Sequence, residues 1–132
     1  MTWTATYNQS LNIVEIVYIG RTNSSDLQEG TSRTILLGKE NNTTLFLVDA
    51  TELNLTASLI DIYNLPDKQY LSEGVDRVSR IAVIRPRSPR SQEAAQFYET
   101  VCHNRGWTAK VVATRDEALD WLLDRIPTRR SD

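Results

Sequence analysis

The sequence predicts an α/β fold in which helices pack on a mixed β-sheet, with the element order β-β-α-β-α-β-α-β-α. Two segments, 3–7 with alternating large and small residues and 13–19 with many β-branched ones, open the chain as strands. Two later runs, 44–49 and 81–84, are apolar on both faces, which is typical of parallel strands covered on both sides. Because helical patterns separate these runs, we expect the later part of the sheet to be parallel.

A hairpin and a weak helix are predicted in the first part of the chain. Residues 8–10 read Asn-Gln-Ser, a composition that favours a turn between the two opening strands. Ser25 begins a capping-box pattern and is predicted to start a helix that ends at Gly38. Since Gly30 and Thr31 interrupt its pattern, we expect this helix to be weaker than the others.

The third strand is predicted to end at Asp49. A helix over 56–65 follows it and is limited by Pro66, since proline disrupts a helix interior. A further helical piece is expected over 68–73, before Gly74.

Two strand–helix units complete the predicted sheet. The fourth strand, 81–84, is followed by Ser88, a predicted N-cap with a proline after it, and by a helix that ends at Gly106. Residues 108–113 form the fifth strand. A second capping box, 114–117, opens the last helix.

Length and composition indicate one globular domain over residues 1–127, with 128–132 as a tail that lacks an apolar anchor. The chain has 132 residues, of which 40% are hydrophobic and 24% charged. A net charge of −2 argues against nucleic acid as a partner. With one cysteine and one histidine, an internal disulfide and a cysteine-built metal site are excluded. We predict no metal and no cofactor.

The start of the chain and its apolar runs predict a cytoplasmic location. Residues 1–6 lack a basic region followed by an apolar run, which a secretory signal would have. No apolar run approaches the roughly 20 residues that cross a bilayer. We therefore expect no integral membrane association.

Charge is distributed unevenly along the chain. The first 66 residues hold three basic and seven acidic side chains, a net −4, whereas the last 66 hold twelve basic and ten acidic ones, a net +2. Residues 77–90 contain five arginines and no acidic residue. Residues 85–91 join the end of a predicted parallel strand to a helix N-terminus, a place that favours anions.

These observations predict an anion or phosphorylated-partner site, because arginine presents a planar fork to phosphate or carboxylate. Its candidate residues are Arg85, Arg87, Ser88, Arg90 and Ser91. The alternative is a solvated loop whose arginines balance acidic neighbours.

Two further candidates have both a functional and a structural interpretation. Asp49, at the predicted strand end, would bind a partner or a cation, or would accept backbone hydrogen bonds from the following loop. Cys102 and His103 are adjacent in a helix, so their side chains point about 100° apart and do not form a catalytic dyad. We expect Cys102 to be a small buried hydrophobic residue.

In this order of elements, four short segments carry a family resemblance. They are Leu47-Val48-Asp49, residues 80–84, Asn104-Arg105-Gly106 and residues 116–122. With these, nearly the whole chain resembles the SpoIIAA-like (STAS-like) fold of anti-sigma factor antagonists. The match is closer to the bacterial, uncharacterised STAS/Sec14-type subfamily than to the sporulation factor itself.

The resemblance implies a non-enzymatic regulatory or protein-interaction module with a protein partner or a small anionic ligand. In anti-sigma antagonists, a serine at the start of the helix after the third strand is phosphorylated. Here Thr56 or Ser58 would occupy that position, although the segment lacks the aspartate and the glycine of the family motif.

Two alternatives remain open from the sequence. The wider fold family also suggests a small lipid or nucleotide carrier, with a pocket under the helix that follows Asp49. A homodimer through residues 3–19 is a further alternative, since an exposed edge strand invites pairing.

Overall fold

The strands of the computed structural model, which describes residues 2–125, form one mixed sheet in the spatial order β1-β2-β3-β4-β5. Their bounds are β1 Trp3–Asn8, β2 Ile13–Thr22, β3 Leu45–Leu55, β4 Arg80–Ile84 and β5 Thr108–Val112. The opening pair is antiparallel, as the hairpin predicted, and each later neighbouring pair is parallel. The predicted fold class is therefore confirmed.

Helices cover both faces of this sheet. They are α1 Ser24–Glu40, α2 Leu59–Asn64, α3 Pro89–Asn104 and α4 Arg115–Leu122, with a π-helical segment, Leu65–Tyr70, directly after α2. Side chains of α1, α2 and α3 share one hydrophobic cluster, while those of α4 belong to a second cluster. Among residues 2–125, no helix is both long and apolar enough to cross a membrane.

Strand alternation separates the two hydrophobic clusters. On β3, Phe46 and Val48 pack towards α1–α3, whereas Leu47 packs towards α4. On β4, Ile81 belongs to the first cluster and Ala82 to the second. Both faces of these strands are buried, which is why the runs are apolar throughout.

The first helix is longer than the pattern predicted and begins earlier. Its N-cap is Asn23 rather than Ser25, and the Asn23 side chain accepts a hydrogen bond from the Asp26 amide at 2.9 Å. The helix continues through Gly30 and beyond Gly38. These glycines allow close packing, since a Cβ atom on Gly30 would lie 2.8 Å from the Tyr18 hydroxyl.

The third strand does not end at Asp49 but continues to Leu55. The cause is β2, which shifts its register between Val17 and Ile19 and then pairs with the rest of β3 as far as Thr22. Asp49 therefore lies within a strand and not at its carboxyl end.

The segment after β3 also differs from the prediction. Helix α2 begins at Leu59, with Ser58 as its N-cap, and not at residue 56. A π-helical segment that contains Pro66 replaces the predicted break and covers much of the predicted helix 68–73. Proline has no N–H to continue an α-helical hydrogen-bond series, so a change of helix type at this residue is expected.

The second half follows the predicted elements closely. Ser88 caps α3, and Thr114 with Glu117 forms the capping box of α4. The predicted tail, 128–132, lies outside the described residues.

Candidate functional site

Two of the predicted anion-site residues are serines that stabilise the start of α3. The Ser88 hydroxyl accepts a hydrogen bond from the Ser91 amide at 3.3 Å. The Ser91 hydroxyl, which is fully buried, accepts one from the Leu55 amide at 3.0 Å. Both hydroxyls therefore connect α3 to its own first turn and to the end of β3.

The three arginines of the predicted site have different surroundings. Arg87 forms an exposed ion pair with Glu52 at 2.8 Å, and the Arg90 Nε donates to the Leu55 carbonyl at 3.3 Å. Arg85 is exposed. The structure thus brings these residues to one edge of the sheet, mostly in contacts within the fold, and the anion site stays a prediction.

The carboxylate of Asp49 accepts local hydrogen bonds within β3. One Asp49 oxygen accepts from the Thr51 amide at 3.1 Å and from the Thr51 hydroxyl at 2.7 Å. This geometry matches the interpretation of Asp49 as an acceptor for nearby groups.

The two candidate phosphorylation positions lie on the surface at the start of α2. The Thr56 hydroxyl donates to the Thr22 carbonyl at 3.2 Å. The Ser58 hydroxyl donates to the Asp61 carboxylate at 3.0 Å and caps the helix. Both side chains are exposed, and phosphorylation at either stays a prediction.

Cys102 and His103 do not form a catalytic pair. Cys102 is fully buried, and burial raises the pKa of its thiol to about 12, so the thiol is protonated at neutral pH. The His103 Nε2 lies 2.9 Å from the Ala109 carbonyl oxygen. The predicted burial of Cys102 is confirmed.

An apolar cavity of about 120 Å³ lies between the sheet and the layer formed by α1, α2, the π-helical segment and α3. It opens partly to solvent. Small side chains leave this volume unfilled, namely Ala50 on β3 and Ala94 and Ala95 on α3. Larger side chains, such as Ile62 on α2, complete the wall.

The polar residues that line the cavity carry hydroxyl groups. The hydroxyl oxygens of Tyr70 and Tyr98 lie 2.6 Å apart, and both residues are buried. Tyr18 and Thr31 also line the cavity, and the Thr34 hydroxyl donates to the Gly30 carbonyl at 2.8 Å. Among the described residues that line the cavity, none carries a charged side chain.

The sequence predicted a pocket under the helix after Asp49 only as an alternative, without assigning residues to it. Of the lining residues, Ser91 was a candidate for the anion site instead. Most of those residues are isoleucines, leucines, valines and alanines, which produce the same pattern as a filled core. The tyrosines and the few hydroxyl-bearing threonines and serine among them are also common in cores. The part of the chain that the structure describes also contains no cluster of three or more metal-ligating side chains.

The comparisons with known proteins concern the fold. No family model matches the sequence, and no curated protein matches it either. Among solved structures, the chain is similar to an uncharacterised protein of the DUF3478 family with a SpoIIAA-like fold from Shewanella loihica PV-4. The sequences are 21% identical, the match covers 91% of each chain, and the TM-score is 0.56. In agreement with the resemblance seen in its sequence, this chain has a SpoIIAA-like fold.

Proposed function

We propose that the protein is a binding module, not an enzyme, that holds a small apolar molecule between its sheet and helices α1–α3. The observation that carries this proposal is the cavity of about 120 Å³ with its apolar wall. Protein interiors are normally packed as densely as organic crystals, so a volume of this size is unusual within a small domain. An engineered apolar cavity of about 150 Å³ in another protein stays dry and binds benzene or xenon.

The size and chemistry of the cavity narrow the carrier hypothesis. A volume of about 120 Å³ suits a single ring or a short branched chain and is too small for a long acyl chain. A nucleotide would bring phosphate charges into a wall without cationic side chains, at a high desolvation cost. The ligand class we propose is therefore smaller and more apolar than the lipids and nucleotides considered from the sequence.

A titration with toluene, monitored by NMR of the methyl groups, tests this function. We expect saturable shifts of the Ile62 and Ile81 methyl groups, both of which line the cavity. The variant Ala94→Leu fills the cavity and should abolish these shifts. Ala113→Leu is the matched control, because Ala113 is exposed and lies outside the cavity wall. Absence of saturable shifts in the wild-type protein would contradict the proposal.

A second candidate is the protein-interaction role that the resemblance implies. The observation that favours it is the outer surface of α2, where Leu59, Ile60 and Tyr63 are 55%, 61% and 41% exposed. Exposed apolar groups clustered in this way are typical of binding surfaces. The exposed Arg85 follows β4, and Arg90 of α3 contacts the end of β3, so an acidic, partly apolar segment of a partner protein would suit this region.

The charged part of that surface can be tested with inorganic phosphate. If the region accepts anions, the amide signals of residues 85–91 should shift at millimolar phosphate. Unchanged signals would contradict anion docking and leave the cavity proposal unaffected.

A further inference from the structure

We propose that the cavity selects an uncharged ligand with one hydroxyl group, which hydrogen-bonds to the paired hydroxyls of Tyr70 and Tyr98. This inference rests on the proposed function and names the chemical class of its ligand. The class comprises small hydroxylated rings and branched alcohols of phenol size.

The two tyrosines are held in place by buried neighbours. Tyr70 lies on the π-helical segment and Tyr98 on α3, and their hydroxyl oxygens are 2.6 Å apart. The Trp107 ring packs edge-to-face against Tyr70 with the ring centres 5.4 Å apart. Tyr98 and the fully buried Cys102 belong to the same hydrophobic cluster. The hydroxyl pair is therefore a fixed polar feature in an apolar wall.

Counting protons shows why a ligand hydroxyl suits this group. Tyr70 and Tyr98 offer two hydrogen-bond donors, but one hydrogen bond links their two oxygen atoms. Either oxygen could be the donor, so within the pair one hydroxyl hydrogen is left without an acceptor. A hydroxyl group both donates and accepts, so it can pair with either arrangement. Buried polar groups are stabilised when such a partner is present.

The surroundings of the pair argue against a charged ligand. No charged side chain is present among the described residues of the wall. Burial raises the pKa of both tyrosines, and it raises that of Tyr18 to about 12, so these phenols stay neutral at physiological pH. An anionic ligand would therefore lose its hydration without gaining a counter-charge.

The experiment compares phenol, toluene and benzoate as ligands of the wild-type protein by isothermal titration calorimetry. Toluene is the more hydrophobic of the first two, so burial alone would favour it. We expect phenol to bind at least tenfold more tightly than toluene, and benzoate to bind more weakly than either.

Removal of the Tyr70 and Tyr98 hydroxyls tests whether they cause the preference for phenol over toluene. The double variant Tyr70→Phe with Tyr98→Phe should retain toluene binding and lose the preference for phenol. Circular dichroism checks its fold. If the double variant does not fold, the single variant Tyr70→Phe provides the same comparison, with an expected loss of the preference.

The outcomes separate this inference from the proposed function. If toluene binds as tightly as phenol to the wild-type protein, or if benzoate binds more tightly than phenol, the hydroxyl inference is overturned and the apolar cavity function survives. If both phenylalanine variants keep the full preference for phenol, the assignment to Tyr70 and Tyr98 is overturned. If none of the three compounds binds, the proposed function itself is overturned.

Discussion

The hydroxyls of Tyr70 and Tyr98 connect two helical segments across the wall of the apolar cavity, with 2.6 Å between their oxygen atoms. Tyr70 belongs to the π-helical segment after α2, whereas Tyr98 belongs to α3, and both side chains are buried. Their hydrogen bond holds together two elements of the layer that covers the cavity. Its loss should therefore affect both stability and ligand selection.

Stability should decrease at alkaline pH because of these buried tyrosines. Burial raises the pKa of Tyr70 and Tyr98 in the folded state above the ordinary value of 10. A raised pKa in the folded state means that their contribution is complete below about pH 10 and is lost as pH rises further. Circular dichroism, together with tyrosinate absorbance near 295 nm, measures this transition.

The double variant Tyr70→Phe with Tyr98→Phe is the control for the alkaline transition. Its stability should fall less steeply above pH 10 than that of the wild-type protein, because two groups with raised pKa values are absent. Identical pH dependence in the two proteins would show that these tyrosines ionise without cost in the folded state.

A bidentate ion pair should stabilise the fold at neutral pH. Arg115, at the start of α4, donates to both carboxylate oxygens of Glu15 on β2, at 2.7 and 2.9 Å. Because the arginine is about half exposed, we expect Glu15→Gln to reduce the free energy of unfolding by only about 1 kcal/mol at pH 7. Denaturant unfolding measures this difference.

Because of the same ion pair, we expect the free energy of unfolding to decrease at acidic pH. The Arg115 guanidinium lowers the pKa of Glu15 below its ordinary value of 4.5 in the folded state. The stabilisation is therefore present above about pH 4.5 and is lost as pH falls through the lowered pKa. The exposed pair Arg87–Glu52 is the control, and Glu52→Gln should have a smaller effect at neutral pH. If Glu15→Gln destabilised the protein as much at pH 2 as at pH 7, the stabilisation could not be assigned to the ion pair with Arg115.

Gly30 should not tolerate a side chain, although it lies within a helix. A Cβ atom there would lie 2.8 Å from the Tyr18 hydroxyl and 2.9 Å from the Ile16 Cδ1. Overpacking costs roughly 1–3 kcal/mol, which exceeds or offsets the gain of about 1 kcal/mol in helix propensity. We expect Gly30→Ala to lower the thermal midpoint, while Glu29→Ala, at an exposed position of the same helix, should change it little. A more stable Gly30→Ala protein would show that the helix can shift.

The thiol of Cys102 should react slowly with an aromatic disulfide reagent at neutral pH. The residue is fully buried, and burial raises the pKa of its thiol to about 12. Since Cys102 is the single cysteine of the chain, the absorbance of the aromatic thiol released by the reagent reports on this thiol alone. Full reaction within the mixing time in the absence of denaturant would contradict the burial. Rapid reaction in guanidinium chloride is the control.

The sequence correctly predicted those elements whose boundaries depend on residues close by in the chain. The caps at Ser88 and Thr114 depend on side chains within three residues, and both were found as predicted. The doubly apolar strands likewise identified the parallel part of the sheet. The full length of β3 depends instead on the register shift of β2 between Val17 and Ile19, which no pattern within β3 reveals.

The candidate sites also differ in how much of them the sequence could predict. The arginine-rich segment was visible in the sequence, but the pairing of Arg87 with Glu52, 35 residues earlier, depends on the long β3 strand. The cavity arises from volume that Ala50, Ala94 and Ala95 leave empty where the sheet meets the layer of α1–α3. A pattern of apolar residues predicts burial but not the space that remains between the side chains.

The existence of a ligand-accessible apolar cavity is the central claim, and a crystal structure under xenon pressure tests it most directly. Xenon should occupy the space between Ala50, Ala94 and Tyr98, with the sheet and α1–α3 unchanged. Electron density that shows these side chains packed together, with no xenon between them, would contradict the claim.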